Sequence, residues 1–301
     1  MKIPTEQKWK WLIAGILFAI LWPSASTATK WGLQVAQPLV IAEVRFAMAG
    51  CILLFISHIV LKKRLPQKEE WKQLAIYGLL NISIYLGCYV VAMQNITAGI
   101  GALAVAINPV FISFLSVVFL KHKLTLPVML SILVCMIGVV CASWPLFSGA
   151  LVTPWGLVIL VFSMLSYSVG AIYFAAKKWN GLSLLTINGW QTLLGGLFLL
   201  PVALLFYESD KNHFTTSFWL STSWLAIPVS IVAVQFWLWL LSINPVRAGL
   251  WLFLCPLFGF MIAAWWMHDE INIYTMIGMA LVIFGLLLSK IKGAKTEITF
   301  D

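Results

Sequence analysis

Aromatic and amide residues recur deep inside stretches of this chain that are otherwise almost wholly apolar: Trp22, Asn81, Tyr85, Asn108, Tyr167, Gln235, Trp239 and Trp251. Tyr and Trp offer flat apolar faces with one polar handle, while Asn and Gln both donate and accept hydrogen bonds. Together they suit a cavity for a small amphipathic or aromatic organic solute. Taken singly, each fits helix–helix bonding or core packing at least as well. Three ionisable groups join them: Lys30, Glu43 and Arg45. A charge in hydrocarbon is costly, so such groups face a cavity, a partner or the headgroups. Glu43 and Arg45 are two apart and point in different directions on a helix. Lys30 could pair with Glu43 across a hairpin. A structural or snorkelling role stays open for all three beside gating, substrate charge or proton coupling. Glu43 is the one acid inside these stretches, which makes it the first candidate for a coupling carboxylate. Pro109 and Pro256 free backbone carbonyls at equivalent depths, as hinges would.

Bond-making chemistry lacks its usual signatures. The histidines are His58, His122, His213 and His268, and no HExxH, Walker sequence or Cys/His cluster surrounds them. Cys51, Cys88, Cys135, Cys141 and Cys255 all fall in apolar stretches without a CxxC pair, so no disulfide framework, metal site or cofactor is expected. The acidic turn His268-Asp269-Glu270 reads as a solvated loop. An enzyme is therefore not expected, and without an ATP motif any transport is secondary. No cluster of Lys and Arg lies at mid-depth, which speaks against phosphate or nucleotide-sugar cargo.

The elements that must position these residues are long helices. The chain is 62% hydrophobic and 10% charged, with mean hydropathy +0.98; a soluble domain carries about 25% charged residues. A crossing needs roughly 20 apolar residues. Ten stretches qualify: 11–32, 38–61, 72–94, 97–120, 124–143, 155–176, 183–207, 218–241, 247–267 and 272–289. The expected fold class is an all-α polytopic membrane protein. Basic residues collect on the cytoplasmic side of such proteins. Here every Lys and Arg except Lys30, Arg45 and Lys211 falls in the two tails or in an even-numbered gap. Both termini are thus expected to be cytoplasmic. The net charge of +9 is this orientation signal, not a nucleic-acid footprint. Many of the 16 Trp, among them Trp9, Trp71, Trp155 and Trp219, sit near span ends as an aromatic belt. The first span resembles a signal peptide, but a repeat claims it as a span.

That repeat appears when the sequence slides on itself by 147 positions. Pro109 meets Pro256, Phe111 meets Phe258, Met129 meets Met276 and Gly138 meets Gly285. A slide of 146 sets Glu43-Val44-Arg45 on Gly189-Trp190-Gln191. The units are 1–147 and 148–301, each with five spans. An odd number of spans forces the second copy to enter from the opposite side. Inverted repeats are a signature of secondary transporters, whose site lies near the midplane between the repeats.

The run from Ser242-Ile-Asn-Pro through Ala248-Gly-Leu-Trp-Leu-Phe-Leu-Cys-Pro256, leading into Glu270 and Gly278/Gly285, resembles the ninth and tenth spans of an EamA-type carrier of the drug/metabolite transporter superfamily. Ile96-Thr-Ala-Gly through Pro109 to Gly138 resembles the matching element of the first copy, and Arg45 with Gly189-Trp-Gln-Thr-Leu-Leu-Gly-Gly196 also fits. The resemblance implies a cavity lined by spans one, three, four, six, eight and nine, an inner-membrane location, and export of a small amino-acid-like or aromatic metabolite by alternating access. A channel or sensor, or a flippase for lipid-linked substrates, is the alternative. Two positions depart from the family: Lys123 stands where Glu is common, and Trp22-Pro23 where Trp-Gly is common, so Pro23 is expected to stiffen or kink the first span. The expected partners are a small-molecule substrate and the lipid bilayer. Spans five and ten, apolar and rich in small residues (Ser131, Cys135, Gly138, Gly278, Ala280, Gly285), could pack on lipid, on each other or on a second protomer in a homodimer.

Overall fold

A computed structural model describes residues 5–96, 101–102, 104–121, 124–147, 153–267, 273–288 and 297–298. Lys123, His122 and the His268-Asp269-Glu270 turn lie outside them. Six helices are long and apolar enough to cross a membrane: α1 (Lys8–Gly32), α2 (Pro38–Val60), α3 (Lys68–Ala92), α6 (Pro154–Ala176), α7 (Leu184–Leu205) and α8 (Thr216–Ile243). Shorter apolar segments fall on the remaining expected spans: α4 (Val105–Leu120), α5 (Leu126–Phe147, apolar over Leu126–Gly138), α9 (Pro245–Gly259, running on to Met267) and α10 (Ile273–Leu288). A two-residue antiparallel pairing joins Leu124–Thr125 to Glu297–Ile298.

The helices turn apolar side chains outward as well as inward. Phe114, Phe119, Leu133, Ile137, Trp155, Leu204, Phe206 and Phe284 are all exposed. In lipid this costs nothing, and it removes the water-driven force that packs soluble helices. Close packing of small residues replaces that force. Helices α2 and α7 meet where Gly50 lies against Leu193, Gly189 against Leu54 and Gly196 against Phe46. Gly78 of α3 lies so near α7 that an added Cβ would stand 2.6 Å from the Gln191 carbonyl oxygen. Helices α5 and α10 meet through Gly138, whose added Cβ would stand 2.8 Å from the Gly278 carbonyl oxygen, and through Gly285 against Cys135. Of the alternatives for the small residues of the fifth and tenth spans, packing on each other is the one these contacts realise.

Several helices depart from α geometry. Helix α1 breaks at Trp22-Pro23, between helical runs Thr5–Leu21 and Ser24–Gly32. Pro23 has no N–H to give to the Ala19 carbonyl; just past the break Ala25 N–H bonds Trp22 O instead of Leu21 O, and Ser24 Oγ takes up the Leu21 carbonyl at 2.6 Å. The departure at Pro23 therefore kinks the helix, as the sequence suggested. Helices α3 and α8 each contain a π-helical stretch, Leu79–Ile84 and Leu225–Ala233. Helix α4 begins with a 3-10 stretch, Val105–Ile107, and α9 has one, Leu250–Leu254, after its first run Pro245–Gly249; each becomes α-helix at the residue before Pro109 or Pro256. Both prolines sit in the first turn, where a missing N–H costs no bond.

Because α5 and α10 touch backbone to backbone, Gly138→Leu should destabilise the fold by about 1–3 kcal/mol, the usual cost of overpacking. Leu133→Ala on the outward face of α5 should change stability by less than about 0.5 kcal/mol. Thermal unfolding of the purified protein in detergent would measure both.

Candidate functional site

The centre of the molecule is a cluster of rings. Trp237 of α8 stacks on Phe18 of α1 (centroids 5.0 Å apart, planes at 20°) and on Tyr167 of α6 (5.7 Å, 20°). Tyr167 also meets Tyr85 of α3 at 4.7 Å and Trp22 at 6.0 Å, and Tyr85 meets Tyr89 at 6.2 Å. Four helices deliver these rings by simple periodicity. Phe18, Trp22 and Ser26 recur at four-residue steps on one face of α1, and Tyr85 and Tyr89 do so on α3. Trp237 and Tyr167 are both 1% exposed. Among the described residues neither the Trp237 Nε1–H nor the Tyr167 hydroxyl has a hydrogen-bond partner.

Beside the rings lies a cavity lined by Trp22, Ser26, Arg45, Tyr85, Tyr89 and Val229, with Pro23, Ala25, Leu86 and Val105 completing the wall. Its room is about that of one water molecule. A solute larger than water therefore fits there only if the rings part. Ser26 Oγ and the Tyr89 hydroxyl hydrogen-bond at 2.8 Å on its wall.

A polar network supports this wall. Arg45 Nε donates to Ser230 Oγ at 2.7 Å, and the Ser230 carbonyl accepts from Asn188 Nδ2 at 2.9 Å. Gln191 Nε2 donates to Asn188 Oδ1 at 3.1 Å, and Asn81 Nδ2 donates to Gln191 Oε1 at 3.2 Å. Buried polar atoms demand partners, and here one chain of them ties α2, α8, α7 and α3 together.

The expected site residues separate into three groups. Trp22, Tyr85 and Arg45 line the cavity, and Tyr167 stacks directly behind it. Asn81 and Asn108 are engaged between helices: Asn108 accepts from Ser168 Oγ at 3.2 Å and donates to Met164 Sδ at 3.3 Å, joining α4 to α6. Trp239, Trp251 and Gln235 lie elsewhere. Trp239 packs on Trp11 at 6.2 Å, Trp251 fills the space left by Gly15, and Gln235 is half-buried off the cavity wall. Lys30 and Glu43 form no ion pair: among the described residues salt bridges join only Arg64 to Glu70 and Lys211 to Glu208. Glu43 turns toward α7, where an added Cβ on Gly196 would lie 3.5 Å from its Oε2, and its Oε1 has no partner. Phe18, Ser26, Tyr89 and Trp237 complete the centre, the first two without having been singled out. The four-residue steps from Trp22 and Tyr85 were the signal for the first three.

Clasps hold both ends of the bundle. At one end Gln37 binds the α7–α8 loop. Its N–H donates to Asn212 Oδ1 (2.8 Å), its Nε2 to the Phe206 carbonyl (2.9 Å), and its Oε1 accepts from Glu208 N–H (2.9 Å) and Asn212 Nδ2 (2.8 Å). Nearby, the Glu208 carboxylate holds the Lys211 ammonium above its ordinary pKa by a direct hydrogen bond. At the other end of α2, Arg64 spans Glu70 with two bonds of 2.7 Å and donates to the Asn180 carbonyl at 2.9 Å.

With this geometry in view, comparison with known proteins is direct. The sequence profile of the EamA-like transporter family matches the chain twice, over residues 9–144 and 154–291. The chain belongs to the EamA-like transporter family. It is 28% identical to protein PecM of Dickeya dadantii over 273 residues, covering 89% of this chain and 88% of that protein. It is 25% identical to an uncharacterized transporter of Archaeoglobus fulgidus, covering 92% and 97%. It is 24% identical to the uncharacterized inner membrane transporter YedA of Escherichia coli K12, covering 91% and 89%. A solved crystal structure superposes with a TM-score of 0.76 at 16% identity over 93% of this chain and 96% of that one, so the two share a fold. This EamA-like chain is a polytopic membrane protein of a transporter family.

The unpartnered Tyr167 hydroxyl yields a stability test. Tyr167→Phe removes a buried polar group that has no partner, so the melting temperature should stay level or rise. Tyr167→Ala should cost about 3–5 kcal/mol by opening a cavity among the rings. Scanning calorimetry of the two variants would compare them.

Proposed function

We propose that this EamA-like protein is a secondary-active carrier that exports a small organic metabolite by alternating access. Ten spans form two inverted five-helix repeats, 1–147 and 148–301, with both termini cytoplasmic. The observation that carries this reading is the placement of the helix irregularities. The π stretch Leu79–Ile84, moved 147 positions on, falls within the π stretch Leu225–Ala233. The 3-10 stretch Val105–Ile107 likewise falls within Leu250–Leu254, and Pro109 on Pro256. Each half thus carries the same two weak points next to the central rings, while a further π stretch in α2, Phe55–Val60, has no counterpart in α7. π-bulges favour functional sites, and prolines at such joints suit hinges.

Packing supports the same symmetry. Helix α2 packs on α7 and α5 on α10, each pairing a span with its own repeat-equivalent; α1 packs on α8 as α3 packs on α6. The two clasps are equivalent too. One joins the α1–α2 loop to the α7–α8 loop, the other the α6–α7 loop to the α2–α3 loop. Exchange of shape between halves would open one clasp while the other holds, and the rings between them would part to one side. Both clasps are made here, on either side of a cavity with room for about one water, which suits such an exchange. A single continuous pore, by contrast, would leave the centre open.

Orientation follows from charge: the Arg64–Asn180 clasp faces the cytoplasm and the Gln37–Asn212 clasp faces away. Export is the direction implied by the family resemblance, and an inner-membrane location agrees with the name given to YedA.

Two measurements test the reading. In proteoliposomes, substrate on the trans side should accelerate uptake of labelled substrate with saturable kinetics. Flux that never saturates and follows voltage would point to a channel instead. In cells, single cysteines at positions 64 and 178 should react only with reagents that reach the cytoplasm, and a cysteine at 211 should react from outside. Labelling of position 64 from outside would overturn the orientation.

A further inference from the structure

Arg45 is the buried charge that the architecture leaves unanswered. It is 2% exposed and stands in the wall of the central cavity, deep in α2. Among the described residues its one hydrogen bond runs from Nε to Ser230 Oγ, and no carboxylate comes within ion-pair distance. A guanidinium has five donors, so the terminal nitrogens keep donors to spare. Its neighbours around the cavity are Tyr85 and Tyr89, with Ser26 bonded to Tyr89 at 2.8 Å. Holding an unpaired cation in a low-dielectric interior costs free energy. A positive group kept there at such cost suits a ligand that brings the missing negative charge.

Resting on the carrier reading above, we infer that the transported solute is a small organic carboxylate with a flat apolar body, whose carboxylate pairs with Arg45. A planar carboxylate matches the guanidinium fork in two parallel bonds, and of the Ser26 and Tyr89 hydroxyls, bonded to each other, one keeps its O–H as a further donor. The body would lie against Trp22 and Tyr85, with Val229 opposite. A phosphate would call for several cations, and only one lines the cavity. A zwitterion would call for an acid beside the arginine. The wall contains none, since Glu43 turns away toward α7 at Gly196. The cavity in its closed form admits about one water, so it is the place of the charged end, and the rings must part for the body.

Four indoles of nearly equal size separate the options: indole-3-acetate, indole-3-acetamide, tryptophan and tryptamine. Scanning calorimetry of the full chain in detergent reads their binding as a rise in melting temperature. Indole-3-acetate should stabilise saturably and bind at least tenfold more tightly than the other three. Arg45→Gln should weaken indole-3-acetate at least tenfold, with Arg45→Lys between. Should Arg45→Gln not fold, the ratio of acetate to acetamide on the wild-type chain decides by itself. Equal binding of the amide, the zwitterion or the amine overturns the assignment, as does wild-type affinity in Arg45→Gln or the absence of any shift with the acetate. Counterflow separates this failure from failure of the carrier reading. Saturable counterflow of a neutral or zwitterionic solute would keep the carrier and reject the carboxylate. Arg45-dependent binding of the acetate without counterflow would keep the anion site and reject the carrier.

Discussion

Every backbone N–H and C=O inside the hydrocarbon must find its partner within the protein, because the lipid offers none. A regular α-helix meets that demand alone. A helix that bends does not, and at three irregular points in this chain a specific side chain answers. Ser24 takes the Leu21 carbonyl at the Pro23 break, Ser166 of α6 donates to Leu80 O in the π stretch of α3, and Asn188 of α7 donates to Ser230 O in that of α8. Ser83 and Ser221 bond carbonyls of neighbouring helices, Gly195 O and Ala28 O. Several buried hydroxyls and amides are therefore spent on making bent helices tolerable. The same bonds mark where bending is affordable, since a carbonyl held by a side-chain hydroxyl can exchange its partner more cheaply than one in an unbroken helical ladder.

Small residues carry the other half of the architecture. Without a hydrophobic force between helices, contact area must come from close approach. Gly50, Gly189 and Gly196 bring α2 and α7 together, and Gly138, Gly278 and Gly285 bring α5 and α10 together. Each pair unites equivalent spans of the two copies. The pairs frame the bundle, while α1, α3, α6 and α8, which deliver the central rings, stand between them. Rigid pairs around a ring-filled middle are a suitable frame for motion confined to the middle.

The chemistry of that middle is unbalanced in a telling way. Six rings supply flat apolar surface, hydroxyls and an indole N–H supply unspent hydrogen bonds, and Arg45 supplies one positive charge without a protein counterion. A finished core would pair its polar groups.

Much of this was legible in the residues. Hydropathy marks the spans, because crossing hydrocarbon sets a minimum apolar length, and four-residue steps place Trp22 beside Ser26 and Tyr85 beside Tyr89 on single faces. The match of Pro109 with Pro256 anticipates two joints of one kind. Periodicity along a helix says nothing, however, about the angle at which its face meets another helix. Asn81, Asn108 and Tyr167 therefore look alike in sequence, yet the first two bond neighbouring helices while Tyr167 stacks at the centre. Trp239 and Trp251 likewise look central and pack instead on Trp11 and Gly15 of α1. Glu43 and Arg45 differ by two residues, enough to turn them to different neighbours, but only the packing of α2 between α7 and α8 makes one face Gly196 and the other the cavity. Which residue is polar at mid-depth is a property of the chain; which of them is left without a partner is decided by how the helices pack.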